Sequence, residues 1–363
     1  MSLRIAILAP LKRAITSKTT VSRNRVIVDL VEELIKRGHT VTIFGTGESR
    51  LPGVEFVSVC PKALTELPPA ENEFYQHTSY LIIEIAELVK RQKYFDIVHN
   101  NMYPEYLPLM VPITIPLVTT VHSQMTSLTS HVFHMFPSAH LIAISRMAKK
   151  VAGISSMEVI HNSIDTEFFT PSTDHGEYLL AVGRMSKSKD ANGNFLDPKG
   201  IGNAIAVAKQ AGMPLKIVGN VEDPVFFETI VRPHLSDMIQ FVGEISSEQK
   251  VTREQMHELF AHAKAFINPI NWEEPFGLVM AEALSCGTPV VAFNCGAVSE
   301  IIDDGNVGFV VDRAKGIDGI VAALKQIDTI DRAACRKYAV ANFSIKRMAD
   351  EYEALYQRIV RAH

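Results

Sequence analysis

The stretch Trp272-Glu273-Glu274-Pro275-Phe276-Gly277-Leu278-Val279-Met280-Ala281-Glu282-Ala283-Leu284-Ser285-Cys286-Gly287-Thr288-Pro289-Val290-Val291-Ala292-Phe293 decides how the rest of this chain is read. Pro275 marks a turn, because its ring fixes its own φ and keeps the preceding residue out of α geometry. A short helix is expected from about Phe276, stopped by Gly287 and by Thr288-Pro289, which cannot continue it. Val290 to Phe293 is then a short apolar run of the kind buried in a parallel sheet. Glu274 stands just before the helix and Glu282 near its second turn, with seven residues between them. A helix N-terminus offers unpaired N–H groups and partial positive charge, which suits a phosphate. A carboxylate to either side accepts hydrogen bonds, and sugar hydroxyls donate them. Phe276, Leu278, Val279, Met280 and Leu284 make the helix largely apolar, so a glutamate on it needs partners. Together these features describe a phosphate held between two sugars, as in a nucleotide sugar.

Outward from that stretch, short apolar strands alternate with helical segments over almost the whole length, the mark of parallel α/β architecture. Strands are expected at residues 4–9, 41–44, 56–59, 96–99, 117–121, 141–144 and 158–161. A second set is expected at 178–183, 215–219, 239–243, 265–269, 289–293 and 308–311. Residues 26–37 read as an amphipathic helix with Val26, Leu30, Val31, Leu34 and Ile35 on one face, ended by Gly38. The polar, turn-rich run 170–176 is taken as the linker, giving domains 1–170 and 171–342. A last helix, residues 343–363, carries Met348, Tyr352, Leu355, Tyr356 and Ile359 at helical spacing and needs a surface to cover them. The fold class is therefore α/β, with two Rossmann-like parallel-sheet domains.

Ligands of open parallel sheets gather at the carboxyl ends of the strands. There the second half offers Gly183-Arg184, Gly219-Asn220 and Gly243-Glu244, three glycines that permit close backbone approach. Arg184 and Lys199 are the candidate cations for a diphosphate. Lys199-Gly200 opens an apolar-periodic helix, but fourteen residues separate it from Arg184, and Lys187 and Lys189 inside that run compete for the role. In the first half, His122 ends the strand 117–121.

Composition sets the outer bounds. With 363 residues the chain suits two domains, and 47% apolar with 21% charged residues is ordinary for an α/β protein. A net charge of −4 gives no pull toward nucleic acid. Cys60, Cys286, Cys295 and Cys335 lack metal or disulfide spacing and read as buried thiols in a reducing compartment. His131 and His134 have no carboxylate or cysteine at ligand spacing, so no metal site is expected. The start of the chain runs straight into a strand, and no apolar run approaches the ~18 residues of a membrane helix. A cytoplasmic protein is expected, with peripheral contact to a membrane surface left open.

The segment around Glu274 and Glu282 resembles the signature of the retaining glycosyltransferases of family 4, whose two Rossmann-like domains face a cleft in the GT-B fold. Glu, seven residues, Glu, with Phe-Gly after the first and Ala-Leu-Ser-Cys-Gly-Thr-Pro-Val-Val-Ala after the second, is a specific match. By that resemblance Glu274 contacts the transferred sugar and Glu282 the ribose. The backbone at Phe276, Gly277 and Leu278 meets sugar and phosphate, and Arg184 and Lys199 neutralise the diphosphate. His122 resembles the histidine that faces the sugar, and the last helix crosses back onto the first domain. The implied reaction moves a hexosyl unit from a nucleoside diphosphate sugar to a hydroxyl acceptor, retaining configuration and requiring no metal or other cofactor. A UDP-sugar is placed ahead of a GDP- or ADP-sugar. A nucleotide-sugar 2-epimerase of the same fold and a non-catalytic nucleotide-sugar binder are the alternatives.

Two departures stand out. Family members often carry glycines after the first strand, whereas residues 10–24 here contain none. They hold Lys12, Arg13, Lys18 and Arg23, followed by Arg25, with no acid before Asp29. Five unopposed cations at the end of a first strand suggest an acceptor, or a membrane partner, that bears negative charge. In the hinge, Ser163 stands where relatives often have glycine.

Overall fold

A computed structural model of the chain describes residues 1–69, 72–123, 126–136, 139–245 and 251–363. The chain forms two compact units, one of residues 1–163 with 345–363 and the other of residues 164–344. The first holds a wholly parallel sheet of β1 (Arg4–Leu8), β2 (Thr40–Thr46), β3 (Glu55–Cys60), β4 (Ile97–Asn100), β5 (Leu117–Val121), β6 (His140–Ala143) and β7 (Glu158–Val159), in the order β3-β2-β1-β4-β5-β6-β7. The second holds β8 (Leu179–Val182), β9 (Leu215–Val218), β10 (Ile239–Gly243), β11 (Ala265–Asn268), β12 (Val290–Phe293) and β13 (Gly308–Val311), ordered β10-β9-β8-β11-β12-β13 and also parallel. Each expected strand is present, its ends within two residues of the expectation. The central strands β4, β8, β11 and β12 are buried along their whole length, which is why β8 and β12 read as unbroken apolar runs and not as alternating ones.

In each sheet the chain winds outward from its first strand, returns, and then winds the other way. The reversal falls between β1 and β4 in the first unit and between β8 and β11 in the second. Crossover loops on the two sides of such a point diverge and leave a crevice at the carboxyl ends of the strands.

The domain boundary differs from the expected one. Residues 164–170 belong to the second unit, because their side chains and carbonyls are used there. Ile164 and Phe169 are buried. Arg336 donates to the carbonyls of Thr166 (2.6 Å) and Phe169 (2.8 Å), and Arg253 lies over the Phe168 ring at 3.9 Å. The turn-rich run 170–176 is a loop within this unit, where Gly176 N–H bonds to the His262 carbonyl. Composition marked a loop, but burial decides membership.

Phe343 closes the preceding helix Arg332–Phe343, Ser344 is extended, and the last helix runs Ile345–Ala362. It packs on the helix Ser22–Lys36 of the first unit, with Arg37 reaching Asp350 (2.7 Å) and Glu353 (3.1 Å). Its Met348, Tyr352, Leu355, Tyr356 and Ile359 are buried, each contributing roughly 1.5–3 kcal/mol of hydrophobic stabilisation. Polar atoms pair within that interface. Tyr356 bonds His99 Nδ1 (2.6 Å), His99 Nε2 bonds Thr120 (2.8 Å), and Thr120 bonds Tyr352 (2.8 Å). Burial pushes His99 down to about 3, so the imidazole in this network is neutral.

Candidate functional site

The second unit builds its site on three glycines. A Cβ on Gly219 would lie 1.8 Å from the Gly183 carbonyl oxygen, and one on Gly183 would lie 2.6 Å from Lys199 Cβ. Gly219 N–H donates to Gly243 O at 3.1 Å. The ends of β8, β9 and β10 thus touch backbone to backbone, and only glycine fits at the first two.

After Arg184 the run that displaces Lys199 in sequence folds back on itself as a hairpin, with Lys189 bridged to Phe195. The Asp190 carboxylate accepts the amides of Asn192 and Asn194 at its tip. Phe195 packs edge-on against buried Phe226, and Lys189 lies over Phe195 beside Asp223. Lys189 is therefore occupied away from Glu274, and Lys187 is exposed. The hairpin returns the chain to β8 at Asp197, whose carboxylate caps the helix Ile201–Ala211 through the amides of Ile201 (3.0 Å) and Gly202 (2.8 Å). Burial raises the Asp197 carboxyl while those amides pull it back. Asn271 donates to Asp197 O and Asn203 to Pro269 O, each at 2.9 Å, which stitches the loop after β8 to the loop after β11.

That stitching brings Lys199 and Glu274 together at the point where the sheet order reverses. Lys199 Nζ lies 2.7 Å from Glu274 Oε2, both side chains largely shielded, at 20% and 12% exposure. Trp272 Nε1–H donates to the same oxygen at 3.1 Å, and the ammonium sits 4.4 Å above the indole ring. Nothing in the sequence reading gave Trp272 a part. The Glu274 backbone is fixed from behind by the loop after β12. A Cβ on Gly296, at φ +64°, would fall 2.3 Å from both Glu274 N and O, and Ala297 N–H donates to Glu274 O at 2.8 Å.

The helix after Glu274 is Leu278–Ser285, starting two residues later than expected because Gly277, at φ +99°, is its cap. Gly277 offers no side-chain cap, and Met280 N–H turns back onto the Gly277 carbonyl at 3.0 Å, which leaves the amides of Leu278 and Val279 without a cap from that residue. Phe276 is buried edge-on against Phe343. Glu282 is half-buried on the second turn, close enough that its charge adds to burial in raising the Cys286 thiol. Arg184 is half-exposed and pairs with Glu222 at 3.5 Å, not with Glu274. Among the described residues no group of three or more His, Cys, Asp or Glu could hold a metal ion.

In the first unit His122 follows β5, and its Nε2 lies 2.8 Å from Asn101 Oδ1. The buried Asn101 amide is oriented by its own Nδ2, which donates to His99 O. Its oxygen therefore faces His122, so Nε2 carries the proton and Nδ1 is the acceptor. Burial, and after it the positive charge of Arg23, hold His122 well below the usual histidine range. The basic loop after β1 is not uniformly free. Arg25 donates to the carbonyls of Ser17 and Thr19 and pairs with buried Asp29 at 3.4 Å, so it staples the loop. Arg23 lies 5.2 Å over the Tyr103 ring, while Lys12, Arg13 and Lys18 are exposed.

Two parallel-sheet units with a carboxylate–lysine pair at the reversal of the second define a GT-B protein. Residues 176–328 match the family described as Glycosyl transferases group 1, and residues 24–168 match Glycosyltransferase Family 4. The chain belongs to that family. It is 27% identical over 208 residues to the D-inositol 3-phosphate glycosyltransferase of Mycolicibacterium smegmatis, a match covering 56% of this chain and 48% of that one. The chain thus spans about half the length of that relative. With the N-acetyl-alpha-D-glucosaminyl L-malate synthase of Bacillus anthracis it shares 23% identity over 97% of this chain and 98% of that one. Among solved structures it resembles HepE of Anabaena in complex with UDP and glucose, at a TM-score of 0.72 and 16% identity, covering 98% and 99% of the two chains. No helix among the described residues is long and apolar enough to cross a membrane.

Proposed function

We propose that the protein is a retaining hexosyltransferase that uses a nucleoside diphosphate sugar, with UDP-sugar first among the donors. The observation that carries the reading is the Lys199–Glu274 pair at 2.7 Å, beside the uncapped start of the helix Leu278–Ser285. Loss of the diphosphate is the step to be stabilised, and Lys199, Arg184 and the first amides of that helix supply positive charge for it. Glu274 accepts hydrogen bonds from the sugar hydroxyls, and Glu282 from the ribose. His122, neutral and with Nδ1 as acceptor, suits a further sugar hydroxyl. The acceptor hydroxyl attacks on the face that the diphosphate leaves, and a phosphate oxygen takes its proton. A glycosidase-like double displacement needs two carboxyl groups flanking the sugar, whereas the partners of Glu274 here are a lysine and an indole N–H.

An acceptor bearing negative charge fits exposed Lys12, Arg13 and Lys18. Two relatives are named for acceptors of that kind, D-inositol 3-phosphate and L-malate. Four buried free cysteines suit the reducing cytoplasm. The test incubates the protein with UDP-, GDP- and ADP-hexoses, with and without sugar phosphates or hydroxy acids. The expected result is acceptor-dependent release of the nucleoside diphosphate and a product whose anomeric coupling matches the donor's. Isomerised donor without acceptor would make it an epimerase, and donor bound but unchanged would make it a binder.

A further inference from the structure

The chain has one tryptophan, and the fold places it against both charged partners at the reversal of the second sheet. Trp272 donates its indole N–H to the carboxylate oxygen that Lys199 also holds, and its ring lies under the Lys199 ammonium. Glu273, between Trp272 and Glu274, sends its carboxylate the other way, to Gly296 N–H. The two glutamates are thus separated in function, and Glu274 has two donors of different kinds on one oxygen. The lysine donor is mobile and charged, so a diphosphate, with more negative charge than one carboxylate, competes for it. The indole donor is neutral and rigid, with two torsions, and a phosphate has no comparable call on it.

We propose that Trp272 is the positioning residue of the donor site: its indole N–H keeps the Glu274 carboxylate aimed while Lys199 leaves the ring to meet the diphosphate. The inference rests on the donor-site reading above. It makes the resting Lys199–Glu274 pair a form that a nucleoside diphosphate replaces, with Trp272–Glu274 as the contact that persists. Because Trp272 is the sole tryptophan, its emission reports the departure of the ammonium directly.

The experiment titrates the full chain with UDP, GDP and ADP, following indole emission and heat of binding together, and measures transfer by the wild type, Trp272→Phe and Lys199→Met. A saturable emission change that tracks the heat is expected in the wild type. In Lys199→Met the resting emission should differ and the nucleotide-dependent part should vanish. Trp272→Phe keeps the ring under the ammonium but removes the N–H, so kcat should fall about tenfold with donor KM and thermal midpoint nearly unchanged. Bound nucleotide with silent emission, or a Trp272→Phe enzyme with undiminished kcat, overturns the role of Trp272 and leaves the donor site standing. If none of the three nucleotides binds, the donor-site reading falls, and this role with it.

Discussion

Glu84 shows how much a single side chain can weigh on this fold. It is fully buried in the helix Glu73–Arg91, neither carboxyl oxygen makes a hydrogen bond of good geometry within the described residues, and the Ala9 N–H offsets the burial only in part. Burial raises its pKa well above the usual range. The folded chain therefore keeps a proton that the unfolded chain releases near pH ~4.3, and stability falls as pH rises past that point. Each further pH unit costs up to about 1.4 kcal/mol until the folded value is reached. Glu84→Met should raise the thermal midpoint at pH 7 and above, with the gain vanishing near pH 4; equal gains at both would assign it to packing alone. At His122 the expectation concerns a proton's location. Nitrogen-15 shifts should show the neutral, Nε2-protonated tautomer across pH 5–8, and Asn101→Asp should draw the titration up into that window by placing a carboxylate on the ring. Unchanged shifts in the variant would remove Asn101 as its partner. None of this was legible in the sequence. Glu84 reads as one more helical glutamate, and Asn101 meets His122 only because β4 and β5 are neighbours.

At the scale of elements, loops matter more than helices. The site depends on three of them, after β8, β11 and β12, meeting behind Glu274. Strands, the two glutamates and the Lys199-Gly200 helix start were readable because each rests on local signals: apolar runs, turn residues and cap chemistry. What brings Lys199 to Glu274, 75 residues away, is a set of cross-loop bonds from Asn203 and Asn271 that no spacing announces. The hairpin between Arg184 and Lys199 was visible only as an excess of residues; the structure shows that it returns the chain to its starting point, which preserves Lys199's place. Gly296 is the joint that touches the Glu274 backbone itself. Gly296→Ala should push Glu274 out of position and strain a left-handed backbone, costing about 1–3 kcal/mol of stability. Transfer should fall further than the midpoint shift explains, measured by kcat at a temperature well below unfolding. Wild-type turnover in a folded Gly296→Ala protein would mean that Glu274's backbone position is not critical.

For the whole molecule, the division of labour was readable but its seam was not. Alternating strands and helices declared two sheets, and the pattern of Met348, Tyr352, Leu355, Tyr356 and Ile359 declared a helix in need of cover. The boundary was drawn at a polar run, whereas the chain changes units seven residues earlier, where Ile164 turns into a core. Each unit has its own sheet and buried core, so residues 164–344 expressed alone should fold cooperatively and bind a nucleoside diphosphate in calorimetry. Residues 1–344, lacking the last helix, should instead expose the surface around His99 and aggregate. A soluble, cooperatively melting 1–344 chain would show that the helix is dispensable to the first unit.

The second unit has one further property. Ile164 N–H bonds to Phe343 O at 2.8 Å, and Ile164 bridges Ser344, so the residues at which this unit begins and ends are side-by-side neighbours. A segment with adjoining ends behaves as a cassette. It can be closed into a ring by a short peptide, reopened at any exposed loop, or lifted out and seated in the first unit of another family member. Recombination has the same freedom, and a change of donor chemistry then needs two crossovers in a gene in place of many substitutions scattered through a sheet.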